Sequence, residues 1–169
     1  LTAHYRTDFN FNEEDLLSSK KRLDKLYRVK KRVYGGAKSE VNKEFKAKMI
    51  DALNDDINTS KAISFIDEMI SNANDKLDIN AKDKAFKKEL VANIEFISDV
   101  LGIGNTDAYS YFQFGISLEE KNKIEELIEK RTEAKKAKDF ESADKVRDEI
   151  SALGISLMDT PSGVVWEKV

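Results

Sequence analysis

Apolar residues recur three and four positions apart over most of this chain, which is the period of an amphipathic helix. Leu16, Leu23, Leu26, Tyr27, Val33 and Tyr34 trace one side of a first helix. Asn12 followed by Glu13, Glu14 and Asp15 marks its start: a capping side chain, then acids at the positive end of the helix dipole. Gly35-Gly36 stops it. Ser39 can open a second helix, with Val41, Phe45, Met49, Ile50 and Leu53 at helical spacing. Asn54-Asp55-Asp56 ends that one, because short polar side chains compete for backbone hydrogen bonds. Asn58 or Thr59 caps a third helix carrying Ala62, Ile66, Met69, Ile70, Ala73 and Leu77, and a fourth runs from about Ala81 through Phe86, Leu90, Ile94, Ile97 and Leu101. Helices of similar length with short connections predict an antiparallel four-helix bundle over residues 1–101.

The pattern then changes. Gly102 to Gly115 is the longest irregular stretch, and residues 102–116 read as a linker loop packed down by Tyr109, Tyr111, Phe112 and Phe114. Ser117-Leu-Glu-Glu120 has the form of a capping box. Ile124, Leu127, Ile128 and Ala134 form the stripe of the helix it opens. Lys138-Asp139 ends that helix and Asp139 caps another, with Ala143, Val146, Ile150 and Leu153 on its apolar side and Gly154 as its stop. Ile155-Ser156-Leu157 alternates like a strand, Thr160 to Gly163 is a turn, and Val164-Val165-Trp166 is β-branched and aromatic. Residues 117–169 therefore predict a second, small α+β unit: a helical hairpin plus a short β-hairpin. The fold class is mainly α.

Composition narrows the chemistry. The chain has 169 residues, 40% hydrophobic and 36% charged, enough to bury a core beneath much solvated surface. It contains no cysteine, so disulfides, thiolate nucleophiles and Cys-ligated metals are excluded, and its single histidine, His4, cannot build a His-rich metal site. There is no Gly-rich phosphate loop, no nucleophile elbow, and no pair of carboxylates that stands out, so no catalytic site is expected. No apolar run is long enough to span a bilayer and no signal peptide is visible, which makes a cytoplasmic protein the default. The first residue is Leu1, which suggests a piece of a longer chain. The net charge of −3 hides an asymmetry: Lys20–Lys48 carries twelve Lys/Arg against three acids, and Asp51–Asp78 carries seven acids against two lysines. Nucleic acid on the basic side is one reading of that run and a solvated helix face the other.

Three ordered motifs carry a family resemblance. Arg131-Thr-Glu-Ala-Lys-Lys-Ala-Lys-Asp-Phe-Glu-Ser-Ala-Asp-Lys-Val-Arg-Asp-Glu-Ile, followed by Gly154-Ile-Ser-Leu-Met-Asp-Thr-Pro-Ser-Gly-Val-Val-Trp166, closely resembles the C-terminal end of the cysteinyl-tRNA synthetases, where "RxxARxxKDFxxADxxRDxL" leads into "GIxLxDTPxGTTW". Asp55-Asp-Ile-Asn-Thr-Ser-Lys-Ala62 is similar to that family's "DDxNTPxAL", and His4-Tyr-Arg-Thr-Asp-Phe-Asn-Phe11 to its "HYRSPLNFS". Together they cover essentially the whole chain. The resemblance implies a DALR-type anticodon-binding bundle followed by an anticodon-recognition subdomain, acting on tRNA-Cys as a monomer, without DNA or membrane. It also implies an absent upstream Rossmann-type catalytic domain, which would hold ATP and a Cys/His zinc site and attach cysteine to the tRNA. The chain departs from the pattern at Ser60 for Pro, Lys135 for Arg, Val164-Val165 for Thr-Thr and Glu167 for a basic residue.

Anticodon bases are read by stacking and by hydrogen bonds to their edges. The family's contacting positions map onto Lys135, Phe140, Asp144, Asp159 and Trp166. Trp166, expected at the exposed end of the β-hairpin, and Phe140 would stack. Asp144, one turn beyond Phe140 on the same helix face, and Asp159 would accept from amino-bearing base edges. Lys135 and Lys138 would meet phosphates or base oxygens, and Lys30 and Lys31 the tRNA backbone. Each has a plain structural alternative: a hydrophobic plug for Trp166, packing for Phe140, ion pairs or turns for the acids, solvated surface for the lysines. The Lys138–Ile150 stretch also resembles the helical hairpin by which excision-repair nuclease subunits bind each other, so a protein–protein adaptor is the alternative function. That hairpin has no place for the Gly154–Trp166 segment or the Asp55–Ala62 element.

Overall fold

The computed structural model describes residues 12–160 and 163–169, together with Ala3, Tyr5, Arg6, Asp8 and Asn10. Readings that fall on His4, Thr7, Phe9, Phe11, Pro161 and Ser162 lie outside the described residues. Among the described residues there are seven helices and one antiparallel hairpin: α1 (Glu13–Arg32), α2 (Lys43–Asn54), α3 (Thr59–Ile79), α4 (Lys84–Leu101), α5 (Ala108–Phe112), α6 (Leu118–Lys136), α7 (Phe140–Ala152), β1 (Ile155–Thr160) and β2 (Gly163–Lys168). The chain divides into two compact units, Leu1–Ala108 and Tyr109–Val169.

The first unit is the four-helix bundle α1–α4. The Asn12 side chain accepts the Asp15 amide at 2.8 Å, acids fill the first turn of α1 and Lys30, Lys31 and Arg32 its last. Its apolar stripe joins a core shared with α2, α3 and α4 from Leu23 onward: Leu26, Val29 and Val33 meet Phe45, Met49, Ile66, Ile70, Leu77, Leu90, Ile94 and Ile97. Leu16, expected on that stripe, is instead 55% exposed, because the shared core engages only the later turns of α1.

Two helix starts differ from expectation. The second helix is capped by Asn42 rather than Ser39: the Asn42 side chain accepts the Phe45 amide at 3.0 Å, while its own backbone N–H donates to Asn93 Oδ1 at 2.9 Å. Asn93 is buried on α4, so a tertiary hydrogen bond decides where α2 begins. The fourth helix starts at Lys84, three residues beyond the expected Ala81, after Asp83, whose carboxylate accepts the Phe86 amide at 3.0 Å. Between α2 and α3, Asp56 and Ile57 both take left-handed backbone conformations, near φ +50°, which a β-branched residue such as Ile57 rarely adopts.

The 102–116 stretch is not irregular throughout. Gly102, at φ 70°, closes α4 in the left-handed conformation that glycine adopts without cost, and α5 forms six residues later. Tyr109 is buried and its hydroxyl meets the Met158 sulfur of β1. Phe114, expected to help pack this segment, is 93% exposed.

The second unit is built as its sequence suggests. The Ser117–Glu120 capping box is present in both directions, and the Asp139 carboxylate accepts the Ser142 amide at 3.1 Å to start α7. Strands β1 and β2 pair with Leu157 opposite Trp166 and Asp159 opposite Val164. Alternation along the strands puts Ile155, Leu157, Asp159, Val164 and Trp166 on one face. Ile155, Leu157 and Trp166 of that face close over Ile124 and Leu127 of α6 and Ile150 of α7.

Candidate nucleic-acid interface

Lys135, Lys138, Phe140 and Asp144 gather where α6 turns into α7, and Lys135 bonds to Asp159 of β1. The turn is tight. Lys138 takes φ 61°, the left-handed position after a helix where glycine is usual, and the Lys138 and Asp139 amides donate back to the Lys135 and Ala134 carbonyls. A lysine at such a position costs of order 1 kcal/mol in backbone strain relative to glycine. In return it places an exposed ammonium-bearing chain beside the start of α7. Phe140, the first residue of α7, is 64% exposed. Asp144 is exposed one turn along the same face, with Arg147 on the turn after it.

Asp159 is not an isolated acceptor. The Arg131 guanidinium grips it with Nη1 on Oδ1 at 3.0 Å and Nη2 on Oδ2 at 3.1 Å, while Lys135 Nζ donates to Oδ2 at 2.8 Å. The two basic residues are one turn apart on α6, and the inward face of β1 carries the acid to meet them. Arg131 is only 6% exposed at its side chain, against 56% for Asp159. The bonds from Arg131 and then Lys135 hold the Asp159 carboxyl well below the usual carboxylate range, and the bond to Asp159 raises Arg131. Asp144 adds a negative field at Arg131. The structure thus joins Lys135 and Asp159 with Arg131, a residue absent from the expected contacts. A signal for it stands in the sequence: Ile124, Leu127, Arg131 and Ala134 share one helical stripe, and an arginine on a core stripe calls for a carboxylate partner.

Two candidates are corrected. Trp166 is 5% exposed, packed with Ile124, Leu127, Ile150 and Ile155, and Gln113 Nε2 donates to its carbonyl at 2.9 Å. It is a plug over the helix pair and presents no stacking face. The cause is register: pairing with Leu157 puts its ring on the core side of the hairpin. Lys30 is committed internally. Its ammonium donates to the Gly104 and Thr106 carbonyls, each at 2.7 Å, and lies 5.7 Å from the Tyr27 ring centroid; burial lowers its pKa. It ties the chain after α4 to α1, so its ammonium is already engaged within the protein. Lys31 is half-buried in the same turn and is also engaged within the protein.

An exposed aromatic at the tip of a helical hairpin, with the exposed side chains of Lys138 and Asp144 near it in the chain, is the kind of surface with which RNA-binding modules take up unpaired bases. Comparisons with known proteins bear on that class. Residues 48–105 match the family model described as DALR domain, and residues 121–155 match the UvrB/uvrC motif. Over its full length the chain is 66% identical to a cysteine–tRNA ligase of Aliarcobacter butzleri, 63% to one of a Nitratiruptor species and 52% to one of Helicobacter pylori. It spans 36% of the length of each. The chain is homologous from end to end to the C-terminal region of the cysteine–tRNA ligases. The UvrB/uvrC match covers the helical hairpin and stops at Ile155, whereas the ligase similarity continues through the β-hairpin, so the adaptor alternative is not favoured.

Proposed function

We propose that this chain is the tRNA-binding region of a cysteine–tRNA ligase, and that the α6–α7 turn of its second unit binds the tRNA-Cys anticodon. The observation that carries the reading is Phe140: a large aromatic ring, 64% exposed, held by a capped helix start between Lys138 and Asp144. In this reading Phe140 stacks on an unpaired base, Lys138 neutralises a neighbouring phosphate, and Asp144 and Asp159 accept from amino groups of base edges. Lys135 keeps Asp159 charged as well as adding positive potential. The protein acts as a cytoplasmic monomer on RNA, not on DNA or at a membrane; no described helix is long and apolar enough to cross one.

Cysteine activation with ATP belongs to a catalytic region that the relatives carry in their additional length. The zinc implied for that region does not fit the residues here. There is no cysteine and one histidine, and among the described residues no three His, Cys, Asp or Glu side chains cluster.

The test is Phe140→Ala in the complete ligase, read as kcat/KM for cysteinylation. Losing one stacked base should lower it by roughly 5- to 150-fold, the equivalent of about 1–3 kcal/mol. An anticodon stem-loop added as competitor should inhibit the parent enzyme and inhibit the variant less. Unchanged kcat/KM and equal inhibition would refute the reading.

A further inference from the structure

Arg131 is the most buried charge in the second unit, and nothing in the plain requirements of the fold asks for it. Its position on α6 lies on the same stripe as Ile124 and Leu127, where an aliphatic residue would pack without the cost of desolvating a cation. A buried guanidinium is tolerated because both arms of its fork are satisfied by one carboxylate, and that carboxylate is more than half exposed. The asymmetry is informative. The base of the ion pair is buried, and its acid faces solvent.

The hydrogen bonds show what is left for a ligand. A carboxylate has about four acceptor sites. Oδ2 uses two, for Arg131 and Lys135, and among the described residues Oδ1 uses one, for Arg131. One acceptor position of Oδ1 therefore stays open on an exposed group. The fork fixes the plane of the carboxylate, because two parallel bonds leave no rotation about the Cβ–Cγ bond that keeps both. Lysine alone holds a carboxylate as a point charge and permits that rotation.

We propose that Arg131 is a positioning residue for anticodon selectivity: it locks Asp159 as an ionised acceptor with one open lone pair in a fixed plane, so that one amino group of a base is accepted and a carbonyl in its place is repelled. This rests on the reading that the α6–α7 turn binds the anticodon. Arg131 itself is too buried to touch the RNA. Its effect is transmitted through Asp159, and Lys135, bound to the same oxygen as one arm of the fork, supplies charge but not orientation.

The experiment measures kcat/KM of the complete ligase for tRNA-Cys transcripts, one with the natural anticodon and three with one anticodon base replaced each, using the parent enzyme, Arg131→Gln, Arg131→Lys, Asp159→Asn and Phe140→Ala. For the parent enzyme, replacing the base read by Asp159 should lower kcat/KM by roughly 5- to 150-fold. With Arg131→Gln most of that discrimination should vanish at one anticodon position only. The natural transcript loses activity, the transcript already altered at that position loses little, and Asp159→Asn erases the same discrimination. Arg131→Lys, which keeps the charge without the fork, should fall between. If Arg131→Gln is too unstable to assay, Arg131→Lys carries the test alone, since loss of orientation with charge retained still predicts reduced selectivity at that one position. Equal losses on all transcripts, or none, for the Arg131 variant would overturn the proposal and leave Arg131 a structural cation. If base replacement has no effect on the parent enzyme and Phe140→Ala is silent, it is the anticodon-binding reading itself that fails.

Discussion

Replacing Trp166 with alanine distinguishes a core plug from an RNA-stacking residue, because the two roles predict losses in different observables. The side chain is 5% exposed and sits on Ile124, Leu127, Ile150 and Ile155, the heart of a unit of about sixty residues. A buried Trp removes about 200 Å² from water. At about 25 cal/mol per Å² that is ~5 kcal/mol, an upper figure because the unfolded chain already hides part of the surface. Truncations of this kind cost about 3–5 kcal/mol. In a unit this size each kcal/mol moves the midpoint by roughly 4–8 °C, so Trp166→Ala should bring the second unit close to unfolding at room temperature. The assay is thermal and urea denaturation of the 169-residue chain. Trp166 is the only tryptophan, so its fluorescence follows the second unit alone in the parent protein, while helical circular dichroism follows both units. In the variant the dichroism transition belonging to the second unit should move to much lower temperature or disappear, and protease should cut within α6–α7. Trp166→Phe, which keeps a ring, should cost clearly less. A variant whose second unit melts within about 0.5 kcal/mol of the parent, yet binds RNA more weakly, would refute the burial argument and return Trp166 to the stacking role.

Two further outcomes follow from the ion pairs and the lysines. Because Arg131 and Lys135 depress the Asp159 carboxyl, its contribution to stability is complete above the ordinary carboxylate range and is lost as pH falls below about 4 towards its lowered folded value. The tryptophan-detected midpoint should therefore drop more steeply on acidification in the parent than in Asp159→Asn, and parallel slopes would count against the clamp. Lys30→Ala should loosen the segment after α4, seen as faster proteolysis near Gly104–Thr106, and should leave the salt dependence of tRNA binding unchanged. A slope reduced by about one unit would mean that Lys30 meets a phosphate after all.

Much of this molecule is written in local sequence. Asn12, Asn58, Ser117 and Asp139 each cap the helix that their own position announces, and Gly102 and Gly154 take the positive φ values that end helices. The 3.6-residue stripes of Phe45, Met49, Ile66, Ile70, Leu90 and Ile97 meet in one core, and the switch to period two at Ile155 becomes β1. Capping and amphipathic spacing are properties of a few consecutive residues, so they survive without knowledge of the rest of the chain. The motifs at Asp55–Ala62 and Arg131–Trp166 likewise suffice to indicate the family.

Contacts between distant residues decided the remainder. Asn93, far along the chain on α4, captures the Asn42 amide and so sets where α2 begins, overriding the capacity of Ser39 to cap. Trp166 and Phe140 both stand as stacking candidates in the sequence. Cross-strand register turns the first into the core, while the position of the second at the hairpin tip leaves it in water. Arg131 shows the same limit from the other side: its place on a core stripe calls for a carboxylate, but which carboxylate is decided only when β1 brings Asp159 onto its fork. A side chain's identity states what chemistry it can do, but whether water, a protein partner or an RNA base receives that chemistry depends on what the fold packs against it, and no spacing along the chain contains that information.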